Sequence, residues 1–389
     1  MTFSRRTSWN LEENAMTGAV RARRATGREL FDLTIGNPTS CSFVYDELSL
    51  LGALSSPEAL VYDPDSLGMR SAREAVAVYY RDAGATVSLD RIGLTTSTSE
   101  AYSFLFRLLC DPGDEVLIAR PSYPLFEYIA QLDDVVLREY PLFYDPAAGL
   151  GSAHGWAIDL HALRESICAR TRAIVVVHPN NPTGNFVSLE ERAALEALCA
   201  EHHLALIVDE VFLDYALDAK PATSFAAGEP PCLSFVLSGI SKICGLPQMK
   251  ASWIVAAGPD DQVRAAMARL EVIADTFLSM NAPVQYALPF WLDGRHSIQQ
   301  QIRQRMRENL AALDRRLPGT SSQRLAMQGG WTVVLRVPRT GTGFAEAALG
   351  CDVLVQPGEL YGLPDGRAVL SLLTRPEIWQ QGIERLPLD

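Results

Sequence analysis

The chain has no apolar run approaching the roughly 20 residues that a membrane-spanning helix needs, and no Lys/Arg-rich block, CxxC pair, internal repeat or low-complexity segment. Each absence removes a class of function. The N-terminal MTFSRRTSWNLEEN has arginines but no apolar segment behind them, so the sequence predicts a soluble, cytoplasmic protein with no membrane partner. A net charge of -12, with no basic helix set against it, opposes nucleic-acid binding. Cysteines at 41, 110, 168, 199, 232, 244 and 351 are odd in number and scattered, which indicates neither a disulfide framework nor a metal site.

What is present is a large apolar content, 48% of 389 residues, enough for one large and one small lobe. The runs EVLIAR, VVLREY, RAIVVVH, LALIVDEVF, LSFVLS and SWIVAAG are apolar throughout rather than alternating. They are separated by helical segments such as SLEERAALEALCAEHH with its Ser188/Glu191 capping box. Such runs are strands buried on both faces, which predicts an α/β fold with a mostly parallel sheet flanked by helices. Beyond Pro283 a long polar helix, roughly 296–317, leads to GGWTVVLRV, FAEAALG and a closing strand and helix. This reads as a small α+β domain made from both chain ends, residues 1–45 and 286–389, beside a large domain over 46–285.

Chemistry-bearing residues fall where these strands end, the position at which open α/β sheets bind ligands. LSFVLS runs into Lys242 on a short loop, where desolvation can make the amine nucleophilic toward an aldehyde. LALIVDEVF carries Asp209 inside an apolar run, so the carboxylate needs a cationic partner. RAIVVVH ends in PNNPTG. IGLTTSTSE reads as strand, hydroxyl-rich turn and helix start, with Thr98 or Ser99 as the cap, and such a turn offers free backbone N–H groups to an anion. A nucleophilic lysine, a buried acid, an Asn-rich turn and an anion turn match the aldehyde, pyridine nitrogen, phenolic oxygen and phosphate of pyridoxal 5'-phosphate.

PSYPLF, NNPTG, VDEVF and the SK..GLP..K block together resemble the class I/II aminotransferase family of fold type I pyridoxal-phosphate enzymes, over nearly the whole chain. The resemblance implies that Lys242 is the Schiff-base lysine and the general base, that Asp209 keeps the pyridine nitrogen protonated, and that Asn181 donates to the phenolic oxygen. It places Tyr123 on the ring face, Ser97, Thr98 and Ser99 at the phosphate with Ser238 and Ser241 adding hydroxyls, and Lys250 at a phosphate-binding cation. Tyr62 resembles a tyrosine that reaches the partner's phosphate across a homodimer interface. Gly36 and Asn37 resemble an arm segment that closes over the substrate carboxylate, with a simple turn as the competing reading.

Two departures bear on the substrate. Asp209-Glu-Val-Phe212 has phenylalanine where the family has tyrosine, and Val369 stands where the family has a carboxylate-binding arginine. Arg367, Arg375 and Arg336 are the candidate replacements. The resemblance implies an aminotransferase acting on an amino acid or amine and a 2-oxo acid, moving the amino group by a ping-pong mechanism. A lyase, racemase or biosynthetic synthase on the same scaffold is the alternative. A non-enzymatic sensor is disfavoured, because a sensor would not require Lys242.

Overall fold

The structure, a computed structural model, describes residues 2–124, 126–146, 155–218, 222–278 and 280–389. Of the PSYPLF motif, Leu125 lies outside the described residues. The eight-stranded sheet runs, in spatial order, Ile92–Thr95, Ser252–Ala257, Ser234–Gly239, Ala205–Asp209, Thr171–Val177, Glu115–Arg120, Val136–Tyr144 and Trp156–Ile158. The strands from Ser234–Gly239 through Val136–Tyr144 are mutually parallel, and Ser252–Ala257 is antiparallel to both of its neighbours. Every residue of Ala205–Asp209, Ser234–Gly239 and Ser252–Ala257 is buried, as uninterrupted apolar runs require.

Helices cover both faces. Leu189–His202 starts from the expected capping box: the Ser188 hydroxyl accepts from Glu191 N at 3.1 Å and the Glu191 carboxylate accepts from Ser188 N at 2.8 Å. Arg70–Asp82 buries Val76, Tyr79 and Tyr80, and Trp253 donates to the Tyr80 hydroxyl at 3.1 Å inside that core. Truncating a fully buried ring such as Trp253 costs about 3–5 kcal/mol.

The chain ends meet: Phe31–Asp32 pairs in parallel with Val353–Leu354, and the Leu33 carbonyl accepts from Ser371 N at 2.7 Å. Arg295–Arg316, Gly341–Gly350 and Pro376–Arg385 pack with a four-stranded sheet ordered Gln323–Arg324, Thr332–Arg336, Arg367–Ser371, Gln356–Pro357.

Within residues 1–45, Ala15–Ala25 is a helix capped by Asn14. No residue of it is buried, so it lacks the apolar stripe that would reveal it; it is held by Arg23, which pairs with Asp352 at 2.6 Å and donates to Gly350 O at 3.0 Å.

A cluster of main-chain hydrogen bonds joins the two sheets near residue 184. The Gly184 carbonyl accepts from the N–H groups of Gln328 and Gly329, both at 2.9 Å, while Leu217 N donates to Gln328 O at 2.8 Å and Gly330 N to Tyr215 O at 3.0 Å. Gly184 has φ +71°, and a Cβ there would stand 2.4 Å from the Gly329 carbonyl, so no other residue fits.

Candidate active site

A cleft of about 310 Å³ opens at the carboxyl ends of the parallel strands, and its lining includes Ser97, Thr98, Ser99, Tyr123, Asn181, Asp209, Ser241, Lys242 and Lys250. Residues from five separate chain segments therefore converge as expected.

The hydroxyl turn follows the strand Ile92–Thr95 and opens the helix Thr98–Leu109. Its cap is Ser97 rather than Thr98 or Ser99: Ser97 is extended, with φ -160°, and its hydroxyl accepts from Glu100 N at 3.1 Å. Glu100 returns its carboxylate to Thr96 N at 2.7 Å. Thr98 and Ser99 are thereby the first helical residues, whose N–H groups lie beyond the reach of any helical carbonyl. Lys250 also lines the cleft and lies in the left-handed region, φ 58°, a conformation uncommon outside glycine.

Asp209 closes its strand with only 7% of its surface exposed. Burial raises its carboxyl to about 6, against the opposing pull of hydrogen bonds from Val211 N at 3.1 Å and the Tyr102 hydroxyl at 3.2 Å and of the Lys242 charge. Its neighbour Glu210 faces elsewhere, accepting from the Ser224 hydroxyl at 2.6 Å and Phe225 N at 2.6 Å, and burial raises it to about 7.

Lys242 lies on a short helical turn, Ile240–Ile243, directly after the strand Ser234–Gly239. Its amine is 5.5 Å from the centre of the Phe212 ring and 5.0 Å from that of Trp331. Desolvation lowers its pKa, and attraction to Asp209 opposes the fall. Trp331 packs edge-on against Phe212 at 5.2 Å and Tyr215 at 5.0 Å. Thr332 next to it donates to Pro182 O at 2.9 Å and approaches Asn181 Oδ1 at 3.5 Å.

Other sequence candidates sit elsewhere. Ser238 is buried with its hydroxyl 3.5 Å from the Glu210 carbonyl. It is absent from the cleft lining because alternation along the strand turns it away. Tyr62 is 79% exposed and lines a different depression with residues 59–66 and 274–285. Gly36 and Asn37 form an exposed turn in which Asn37 caps Thr39 N at 3.1 Å, although Pro38 beside them approaches the Lys242 loop at Gly245. Arg367 does not line the cleft; it lies opposite Arg336 and donates to its own turn at Asp365 O and Gly366 O. Arg375 is exposed at the start of the last helix, also outside the lining. Val369 is fully buried among Val334, Leu325 and Tyr361.

Sequence reasoning missed Trp331. Nothing in GGWTVVL distinguishes a tryptophan over a lysine from one in the core.

The fold and the lysine cleft together define a family. The sequence profile of Aminotransferase class I and II matches residues 32–380, and the chain belongs to that family. It is an aminotransferase, and the family works with pyridoxal 5'-phosphate. It is 29% identical over 360 residues to an alanine aminotransferase of Mycobacterium bovis, covering 91% of this chain and 78% of that one. It is 30% identical over 278 residues to a glutamate-pyruvate aminotransferase of Escherichia coli, covering 71% and 66%. Its fold is similar to that of a Pyrococcus furiosus alanine aminotransferase, with TM-score 0.84, 22% identity and coverage of 99% and 98%. A Thermus thermophilus aspartate aminotransferase superposes with TM-score 0.82 at 24% identity, over 99% and 98% of the two chains.

The cleft's donor set suits the cofactor. A desolvated amine, a buried carboxylate whose hydrogen-bond donors among the described residues are Val211 N and the Tyr102 hydroxyl, an asparagine and a hydroxyl turn at a helix start line one cavity.

Proposed function

We propose that this aminotransferase exchanges the amino group between an amino acid and a 2-oxo acid in two half-reactions, with Lys242 as the reacting amine. The observation that carries the reading is the placement of Lys242 Nζ against Phe212 and Trp331 in the same cleft as Asp209. Pyridoxal phosphate, when bound, supplies an aldehyde and a ring that accepts electrons. In this reading Lys242 Nζ holds the cofactor at rest and, once released by the incoming amine, takes and returns the proton of the substrate carbon. Two aromatic rings exclude water from that nitrogen, which favours its neutral, basic form. Asp209 holds the negative charge that keeps a proton on the ring nitrogen. Asn181 orients the phenolic oxygen, Tyr123 bounds the ring face, and Thr98, Ser99, Ser241 and Lys250 hold the phosphate.

The same reading makes the working unit a cytoplasmic homodimer. Leu60, Val61 and Tyr62 are exposed side by side, at 91%, 65% and 79%, and Leu278 nearby is 62% exposed. An apolar strip of this kind on an enzyme surface suits a second copy of the chain. Residues 46–285 would form the cofactor domain, with 1–45 and 286–389 as the lobe over it.

The chain contains three lysines, Lys220, Lys242 and Lys250, which makes the test clean. Borohydride reduction of the holoenzyme followed by peptide mapping is expected to fix the cofactor on Lys242. Label on Lys220 or Lys250, or none, refutes the assignment.

A further inference from the structure

The helical turn that carries Lys242, Ile240–Ile243, is four residues long, so its carbonyls soon run out of helical partners. Side chains from three remote segments supply donors to this turn and its exit. The Tyr215 hydroxyl donates to Lys242 O at 2.6 Å, the Gln299 amide to Ile243 O at 3.1 Å, and the Tyr45 hydroxyl to Gly245 O at 2.8 Å. Gln299 belongs to the long helix Arg295–Arg316, whose Ile302, Met306 and Leu313 sit in the same apolar core as Val333 and Leu370 of the four-stranded sheet.

Arg295, Gln299 and Arg303 recur every four residues and so share one face of that helix. Each donates into the part of the chain that builds the eight-stranded sheet. Arg295 pairs with Asp82 at 2.9 Å, Gln299 takes Ile243 O, and Arg303 Nη1 donates to Asp214 O at 3.1 Å. Arg295 and Gln299 are only 6% and 2% exposed. Buried polar groups are costly unless bonded, so this stripe fixes the helix in one seating. Ile298 packs on the lysine turn beside it: a Cβ on Gly245, which has φ +62°, would stand 3.1 Å from the Ile298 side chain.

We propose that Gln299 is a positioning residue for Lys242. Its amide holds the turn so that Nζ stays against Phe212 and Trp331, and it ties that position to the seating of the helix Arg295–Arg316. Gln299 is absent from the cleft lining, so it acts through the main chain next to the lysine. The inference rests on Lys242 being the reacting amine. Releasing the turn admits water to the nitrogen, which favours its charged form, and moves it off line for proton transfer.

The test compares Gln299→Met, which keeps the side-chain length and loses the N–H, with Asn309→Leu on the same helix. Asn309 is 2% exposed, and its amide donates to Leu372 O at 2.9 Å and Thr374 O at 2.7 Å, carbonyls outside the lysine turn. Both variants lose a buried carbonyl cap, and only one touches the turn of Lys242. Gln299→Asn, whose amide is one methylene short, replaces the methionine variant if that fails to fold. The readouts on each holoenzyme are the pH midpoint of the lysine-bound cofactor's absorbance and the single-turnover rate with a saturating amino donor, the fastest found for the wild type; urea unfolding records stability. In Gln299→Met the midpoint rises by about one unit and the rate falls about 10-fold, with donor affinity unchanged. Asn309→Leu loses stability and keeps the wild-type midpoint and rate. A wild-type midpoint or rate in the Gln299 variant, or equal changes in Asn309→Leu, overturns the inference. A wild type whose absorbance does not depend on Lys242, judged against Lys242→Ala, overturns the cofactor assignment instead, and this inference with it.

Discussion

The Tyr215 hydroxyl donates to the backbone carbonyl of Lys242 across 2.6 Å. A tyrosine three residues past Phe212 could have supplied the donor that Phe212 lacks, but this one is fully buried and committed to the lysine's own main chain. It holds the loop that carries the amine. Two substitutions on neighbouring residues should therefore behave differently.

Phe212→Tyr should add a donor near Lys242 and lower the pH midpoint of the lysine-bound cofactor's absorbance relative to the wild type, since an added donor stabilises the ionised phenolic oxygen. Tyr215→Phe should leave that midpoint in place and cost about 1–2 kcal/mol of stability through the lost buried hydrogen bond. Spectrophotometric titration and urea unfolding of both variants separate the two roles. A midpoint that rises or stays in Phe212→Tyr contradicts the first.

Asp209 should make the cofactor-free protein sensitive to pH. Its folded pKa, about 6, stands above the ordinary 3.8 because of burial. For a raised acid the folded state binds the proton more tightly than the unfolded one, so the associated stability is full at low pH and is lost as pH rises through about 6. Asp209→Asn should gain on the wild type between pH ~4 and ~7, by up to about 3 kcal/mol. Urea unfolding of both apo proteins across that range checks it; a difference independent of pH would mean Asp209 is not the titrating group.

Aspartate should be a poor amino donor. Lys242 and Lys250 are the cations on the cleft lining, and the proposed function assigns both to the cofactor. A second carboxylate would enter the dry site unpaired, at a cost of several kcal/mol. Single-turnover kinetics should show kcat/KM for aspartate at least about 10-fold below that for alanine or an aromatic amino acid. Fast turnover of aspartate, undiminished in Arg367→Ala and Arg375→Ala, would show that no such cation is needed.

Gly184→Ala should cost about 2–4 kcal/mol, because it combines a left-handed backbone with a Cβ driven into the Gly329 carbonyl. Thermal unfolding measures it. A loss below about 1 kcal/mol would mean that the turn relaxes.

Much of this was legible in the sequence, for identifiable reasons. Fully buried strands are uninterrupted in the sequence, so EVLIAR emerges as Glu115–Arg120 and SWIVAA as Ser252–Ala257. Site residues at strand ends inherit that clarity, which is why Asp209, Asn181 and Lys242 line one cleft. The Ala15–Ala25 helix was hidden because ion pairs rather than an apolar stripe secure it. Trp331 was hidden because its neighbours Phe212, Tyr215 and Lys242 come from remote parts of the chain. For Arg367, alternation along the strand says which face it shares with Val369 but not where a long side chain ends, and its guanidinium turns back to Asp365 and Gly366.

The four main-chain hydrogen bonds that join residues 328–330 to Gly184, Tyr215 and Leu217 have a mechanical consequence. A patch stitched by backbone resists sliding, so the two sheets keep their register where they meet. Trp331, one residue past the stitch, is thereby kept beside Lys242.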